Sequence, residues 1–374
     1  MEAHARDPAD DASSQFMILA RLVHIKGQNV LFSESQRAIF ALNDSAAEIW
    51  RLLQEGTPAY ATSGSYVDPL DVNGHVKAAL KDWERLGLIR PRISSIDLSP
   101  HAHVNQVLAV AGRRIRILYP AAHAFPANTV FKHLEAQEET ADTLLQLVEH
   151  GDRLHLLRNG DWLSSCAPDE IATALKGELL SDVLRHCPYE LALHAAALIK
   201  GERIVLLCGN PGAGKTTLTL ALAQVGFGFA ADDVTLLNSD GLGVGLPFAP
   251  AVKPGAWSLL AKHVPGLDIA PIFRRPDGKR VRYVVPTSIT VSSAPRPIGA
   301  VILLRRDHNA RPSLDPVDPV AALRGLLSGA FAPGGELSAA AFDVLAGVIG
   351  SAPVYSLTYS GLDDAVDLIG RACP

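Results

Sequence analysis

Two hydrophobic rhythms follow one another in the middle of the chain. Residues 204–208, Ile-Val-Leu-Leu-Cys, form an unbroken apolar run with the length of a buried strand. After a polar interval, residues 217–225 carry Leu218, Leu220, Ala221, Leu222 and Val225 at the density of a buried helix, which Gly226 closes. A second apolar run, 193–199, precedes the first across Lys200-Gly201-Glu202. So short a connection with a glycine in it predicts a β-hairpin. With Gly201 and Glu202 as its loop, Lys200 faces Arg203, and His194 comes level with Gly209. Beyond the helix, residues 227–231 predict a strand that runs into Asp232-Asp233, and a further apolar run follows at 234–237.

The amino-terminal pattern is different. Residues 16–19, 30–32 and 38–42 predict three short strands. A helix then starts near residues 43–48, where Ser45 and Glu48 have capping-box spacing, and Ile49, Leu52 and Leu53 give it an apolar face. A second helix over 73–85 sets Val76, Leu80 and Trp83 on one stripe and stops at Gly87. Residues 15–92 therefore read as a small α+β, winged-helix-like domain with Trp50 and Trp83 as packing anchors. Residues 1–14 are polar and are expected to be disordered. Residues 93–103 read as a linker, and 104–374 as a larger α/β domain. In that domain a strand pair is expected at 104–112 and 114–118. Helices are expected over 140–148 and 168–185, and a hairpin over 274–283 with an Asp277-Gly278 turn.

The polar interval between the buried strand and helix reads Gly209-Asn210-Pro211-Gly212-Ala213-Gly214-Lys215-Thr216-Thr217, a complete phosphate-binding loop. Its glycines let backbone N–H groups face phosphate oxygens. Lys215 can reach the β- and γ-phosphates, and the Thr216 hydroxyl can ligate Mg²⁺. The positive end of the following helix points at the same place. Asp232 and Asp233 come unusually soon after that helix. Phosphoryl transfer needs one acid near the metal and often another to take the proton of the attacking hydroxyl. Adjacent carboxylates at a strand end point to opposite faces and can divide those tasks. His194 is delivered by the hairpin to the mouth of the loop, where it is a candidate for either the site or the core. Of the basic residues downstream, Lys253, whose loop is fixed by Pro254 and Gly255, and Arg280 on the hairpin are candidates for nucleotide phosphates.

Composition narrows the classes. A length of 374 residues allows two or three domains, and a net charge of −5 argues against a dominant nucleic-acid footprint. No apolar run is long enough to span a bilayer and no signal peptide is seen, so a cytoplasmic protein without a membrane partner is expected. The four cysteines show no metal spacing, and Cys208 belongs to the core of the strand before the phosphate loop.

His194-Ala-Ala-Ala-Leu198, the loop 209–217 and Gly226-Phe-Gly-Phe-Ala-Ala-Asp-Asp-Val234 together resemble the core of HPr kinase/phosphorylase and its relatives. The likeness is specific over residues 190–240 and weakens to a general one beyond. It implies a P-loop kinase fold akin to the nucleotide-binding half of phosphoenolpyruvate carboxykinase, using ATP or another nucleoside triphosphate with Mg²⁺. It further implies Asp232 as general base or acid, with Asp233 and His194 organising metal and phosphate. The glycine-rich stretch with which those enzymes engage HPr and run the reverse reaction has no counterpart, so neither HPr as substrate nor phosphorylase activity is implied. The chain looks more like the HPr kinase-related proteins of modified-peptide pathways, including lasso-peptide kinases. Residues 15–92, through Val30-Leu-Phe-Ser-Glu-Ser-Gln-Arg-Ala-Ile-Phe-Ala-Leu-Asn-Asp-Ser-Ala-Ala-Glu-Ile-Trp50, resemble PqqD and similar peptide-recognition domains. That implies capture of a precursor peptide by its leader, added as a strand to a sheet edge. The expected activity is phosphorylation of a Ser or Thr hydroxyl on that peptide. The sequence leaves open a small-molecule kinase with a regulatory amino-terminal domain and a non-catalytic nucleotide switch.

Overall fold

The hairpin around Gly201 and Glu202 forms in the predicted register, with Lys200 opposite Arg203 and Ala196 opposite Leu207. It is the seed of a six-stranded sheet in the computed structural model, which describes residues 16–34, 36–55, 69–92, 103–138, 140–333 and 335–373, the first five of the 69–92 segment by backbone alone. The sheet order is Gly228–Ala231, Ala196–Lys200, Arg203–Cys208, Ile298–Arg306, Val354–Tyr359, Ser313–Pro316. Arg203–Cys208, Ile298–Arg306 and Val354–Tyr359 run parallel to one another. Helices cover both faces, so the central strands read as continuous apolar runs rather than alternating ones. Val205 and Leu207 pack with Leu218 and Leu222 of the helix Lys215–Gln224 and with Leu362 and Ile369 of the helix Leu362–Ala372. Ile204 and Leu206 pack on the other side with Leu326 of the helix Pro319–Leu327 and Leu345 and Val348 of the helix Ala339–Ser351.

A four-stranded sheet lies beside this one, ordered Gly243–Gly245, Thr235–Leu237, Leu191–Leu193, Ala330–Phe331. It approaches the strand Gly228–Ala231 so closely that a Cβ on Gly245 would fall 2.7 Å from the Ala230 carbonyl oxygen. Glycine at 245 is thus required by clearance. Two chain segments pass from one sheet to the other. Residues 194–195 join Leu191–Leu193 to Ala196–Lys200, and residues 232–234 join Gly228–Ala231 to Thr235–Leu237. His194 lies on the first crossing, and Asp232 and Asp233 lie on the second.

The chain divides into two compact units, residues 103–145 with 168–374, and residues 1–102 with 146–167. In the smaller unit, Arg21–Ile25, Gln28–Ser33 and Ala38–Leu42 form an antiparallel sheet in that order, and Phe16–Ile18 pairs separately with Ile89–Pro91. Two of these five strands, Arg21–Ile25 and Ile89–Pro91, are additions to the sequence reading. The first helix, Asp44–Glu55, is capped by Asn43, whose Oδ1 accepts the Ala46 N–H at 2.8 Å; Ser45 already lies inside the helix. The second helix spans Pro69–Arg85, four residues longer at its start than its apolar stripe indicates. Trp50 and Trp83 are buried edge to face with ring centroids 4.9 Å apart. Arg153–Arg158 and Asp161–Cys166 form a hairpin in the same unit.

The predicted helix over 140–148 is a strand, Thr143–His150. Its clustered leucines imitate a helical face, but Thr143, Leu145 and Leu147 are buried in alternation, and Val148 is buried after them. The strand pair His103–Val110 and Arg113–Pro120 and the hairpin Ile272–Arg274 with Arg280–Tyr283 both form. His103, at the end of the expected linker, is the first residue of a strand; residues 93–102 and 1–14 lie outside the described residues. Among the described residues no helix is long and apolar enough to cross a membrane.

Candidate functional site

The phosphate loop leaves the strand Arg203–Cys208 and enters the helix Lys215–Gln224 through Gly214, whose φ of +95° suits glycine. The helix therefore begins two residues earlier than its hydrophobic pattern shows. Lys215 is 8% exposed, and its Nζ donates to the Gly209 carbonyl at 2.6 Å. Burial pulls the Lys215 pKa down, while Cys208, Asp233 and Asp232 oppose that shift. Asn210 and Pro211 stand exposed on the rim of the loop, and Thr216 and Thr217 are half-buried in the first turn of the helix.

The crossing at residues 232–234 aims its two carboxylates at different partners. Asp232 is 2% exposed, and its Oδ2 accepts a hydrogen bond from Thr216 Oγ1 at 3.1 Å. Its Oδ1 is buried with no hydrogen-bond partner among the described residues. Burial first, and then the charge of Asp233, push the Asp232 carboxyl up to about 7, against the opposing pull of Lys176, the Thr216 hydroxyl and the Ala251 backbone. Asp233 is bound by Lys176 Nζ at 2.8 Å, with its own side chain 43% exposed. That ammonium is the main cause of a carboxyl held below the ordinary aspartate range. Two adjacent acids are thus driven apart in acidity, an arrangement found where one group must stay ionised while the other exchanges a proton near neutral pH.

Lys176 was missed in the sequence reading. It lies on the helix Ile171–His186 and also donates to the Ala249 carbonyl at 3.4 Å. The available signal was a lysine set against the buried stripe Ala172, Leu175, Leu179 and Val183, where a charge needs a partner.

His194 is an exposed residue whose backbone N–H donates to the Gly329 carbonyl at 2.7 Å. With Gly209, Asn210, Ser328 and Gly329 it bounds a recess of about 90 Å³ beside the loop. Its imidazole pKa is lowered by partial burial and then by Lys215, with Asp233 pulling the other way. Lys253 is exposed at the start of the helix Pro254–Leu260, near enough for its charge to act on both His194 and Lys215. The structure therefore gathers the loop 209–217, His194, Asp232, Asp233 and Lys253. The Arg280 guanidinium lies 6.0 Å from the Trp257 ring centroid, and Arg282 lies over the same ring at 4.4 Å.

Among the described residues no group of three or more His, Cys, Asp or Glu side chains could hold a metal ion. Mg²⁺ asks for less, because it commonly takes one or two protein ligands and completes its shell with water and phosphate oxygens. The Thr216 hydroxyl spends its proton on Asp232, which leaves its oxygen lone pairs to accept a cation, and ionised, half-exposed Asp233 lies on the same crossing as Asp232. Thr216 and Asp233 can each offer an oxygen to such an ion.

The raised pKa of Asp232 bears on stability. A carboxyl whose folded pKa exceeds its unfolded value contributes stability below the unfolded pKa of ~4, and that contribution is lost as pH rises through about 7. Asp232→Asn stays neutral throughout. Without nucleotide, it is expected to gain on the parent by on the order of a few kcal/mol between pH 5 and pH 8. Melting temperatures at the two pH values check this; an unchanged difference would mean that Asp232 ionises without penalty.

No family model matches the chain, and no curated protein matches it. Among solved structures it is similar to the HPr(Ser) kinase/phosphatase from Coxiella burnetii, with 14% identity and a TM-score of 0.24 over 48% of this chain and 89% of that one.

Proposed function

We propose that the chain is a kinase of the HPr kinase type that transfers the γ-phosphoryl group of ATP, with Mg²⁺, to a Ser or Thr hydroxyl of a precursor peptide. The observation that carries this reading is the 3.1 Å contact between Thr216 of the phosphate loop and Asp232, an acid poised near neutrality with one oxygen unpartnered.

In this mechanism the loop N–H groups and Lys215 hold the phosphates, and His194 and Lys253 face the same charge from the rim. Thr216 and Asp233 would hold Mg²⁺, which neutralises charge on the transferring group. Asp232 accepts the acceptor's hydroxyl proton on Oδ1 as that oxygen bonds to the γ-phosphorus. The bond to the β-phosphate oxygen breaks, and ADP leaves. Lys176 makes Asp233 a weak base, so Asp232 is the stronger proton acceptor of the pair.

The peptide part of the proposal rests on the smaller unit. Ala38–Leu42 is an edge strand of its sheet, with Ile39 71% exposed. An edge strand offers unpaired backbone groups to an extended peptide, as PqqD-like domains use theirs. Binding a leader there ties the acceptor to the enzyme and raises its local concentration.

The test is transfer from γ-labelled ATP to peptides translated from the short reading frames that adjoin the gene. Label is expected on Ser or Thr of one of them. Removal of that peptide's leader should raise KM at least tenfold with little change in kcat, since tethering supplies uniform binding. Label in a small metabolite with no peptide labelled would replace this reading with the small-molecule kinase. ATP binding without transfer to anything would replace it with the switch.

A further inference from the structure

Tyr359 ends the central strand Val354–Tyr359, far along the chain from the phosphate loop. It is 4% exposed and packs in the apolar cluster that contains Leu207 and Leu218, the residues flanking the loop on its strand and its helix. Its backbone carbonyl accepts the Asp307 N–H at 2.9 Å, which fixes the strand end that bears the ring. The hydroxyl donates to the Ala213 carbonyl, within the loop, at 2.6 Å. A Cβ on Gly214 would fall 2.2 Å from that same hydroxyl oxygen, so the tyrosine fills the space against the loop's last glycine.

The consequence follows from peptide geometry. The Ala213 carbonyl and the Gly214 N–H belong to one planar trans peptide and point in opposite directions. With the carbonyl bound to Tyr359, the N–H is turned away from the tyrosine. Were this peptide to flip, a carbonyl oxygen would face a phosphate where a donor is needed, replacing attraction by repulsion. The loop's own bonds nearby hold the neighbouring peptides: the Ala213 N–H to the Asn210 carbonyl at 3.0 Å belongs to the preceding one, and the Leu218 N–H to the Gly214 carbonyl at 2.9 Å to the following one.

We propose that Tyr359 is a positioning residue of the phosphate site, which through its hydroxyl holds the Ala213–Gly214 peptide in the orientation that presents the Gly214 N–H to a bound phosphate. The proposal rests on the nucleotide-binding part of the reading above and is independent of the acceptor.

Tyr359→Phe removes the hydroxyl and keeps the ring. Affinities of the full chain for Mg·ATP and for inorganic pyrophosphate should both fall roughly tenfold, the loss of one hydrogen bond's worth of preorganisation. In protein labelled with ¹⁵N-glycine, the Gly214 amide signal should move downfield when pyrophosphate is added to the parent and move much less in the variant. General loosening of the core would not single out that amide. If the parent binds neither ligand, the phosphate-site reading fails and this proposal fails with it. If the parent binds and the variant binds equally well, the proposal alone is overturned. Should Tyr359→Phe melt early, the Gly214 signal is read below its melting temperature, and a parent-like shift there overturns the proposal too.

Discussion

Asp232→Asn is expected to bind nucleotide as the parent does and to lose turnover by about 100- to 10,000-fold, the usual contribution of a positioned base. The side chain keeps its shape, and an amide oxygen can still accept the Thr216 hydroxyl that Asp232 Oδ2 accepts at 3.1 Å. What it cannot do is take a proton. The parent carboxyl, pushed up to about 7 by burial and by Asp233, exchanges one with ease at neutral pH. The neighbouring change, Asp233→Asn, should act differently. It removes the charge that pairs with Lys176 at 2.8 Å and takes a carboxylate from the metal side, so its defect should ease as Mg²⁺ is raised. Turnover of both variants over a Mg²⁺ series separates the roles. An inactive Asp233→Asn beside a near-normal Asp232→Asn would exchange them, and two active variants would remove the acid pair from the chemistry.

The parts of this site that could be read from the sequence are those whose geometry is local. The phosphate loop lies between its own strand and helix, and a two-residue loop leaves a hairpin little freedom of register. The pairing of Lys200 with Arg203 therefore followed from Gly201 alone, and with it the approach of His194 to Gly209. Asp232 and Asp233 were visible because an apolar strand ends in them. Lys176 and Tyr359 are of another kind. Each reaches the site from a distant segment, and nothing in the residues around it says which part of the fold it will meet. Arg280 lies on the hairpin that its Asp277-Gly278 turn predicts, with its guanidinium near Trp257.

Elsewhere the errors have physical causes. Thr143–His150 was read as a helix because Leu144, Leu145, Leu147 and Val148 fit a 3.6-residue stripe as well as a strand, a known ambiguity of short apolar runs. Asn43 rather than Ser45 caps the helix Asp44–Glu55. It directly follows the strand Ala38–Leu42, and its amide reaches the third residue of the helix. Arg21–Ile25 carries little hydrophobic signal of its own, with a charged first residue, His24 as its fourth and exposed residues at both ends. Its register comes from Gln28–Ser33, whose buried Asn29, Leu31 and Ser33 alternate cleanly.

Lys215→Met should abolish transfer without weakening the fold. The ammonium is the loop's point charge on the β- and γ-phosphates, and loss of a preorganised donor of this kind costs about 100- to 1,000-fold in turnover. Methionine keeps the length and apolar stem of the side chain, so the pocket beneath the loop stays filled. Burial is the first cause of the lowered pKa of Lys215. A lysine whose folded pKa lies below its unfolded value of ~10.4 is penalised wherever the unfolded chain would be protonated, and the penalty fades as pH rises through that value. Its one hydrogen bond, to the Gly209 carbonyl at 2.6 Å, offsets part of this cost. The variant should therefore melt no lower than the parent at pH 7, and its margin should shrink toward pH 10. Transfer assays beside melting curves decide the matter. A variant with parent-like melting and unchanged turnover would remove the kinase reading. One that melts far below the parent would show that the ammonium holds the loop together, and that its burial is compensated by contacts stronger than the Gly209 bond.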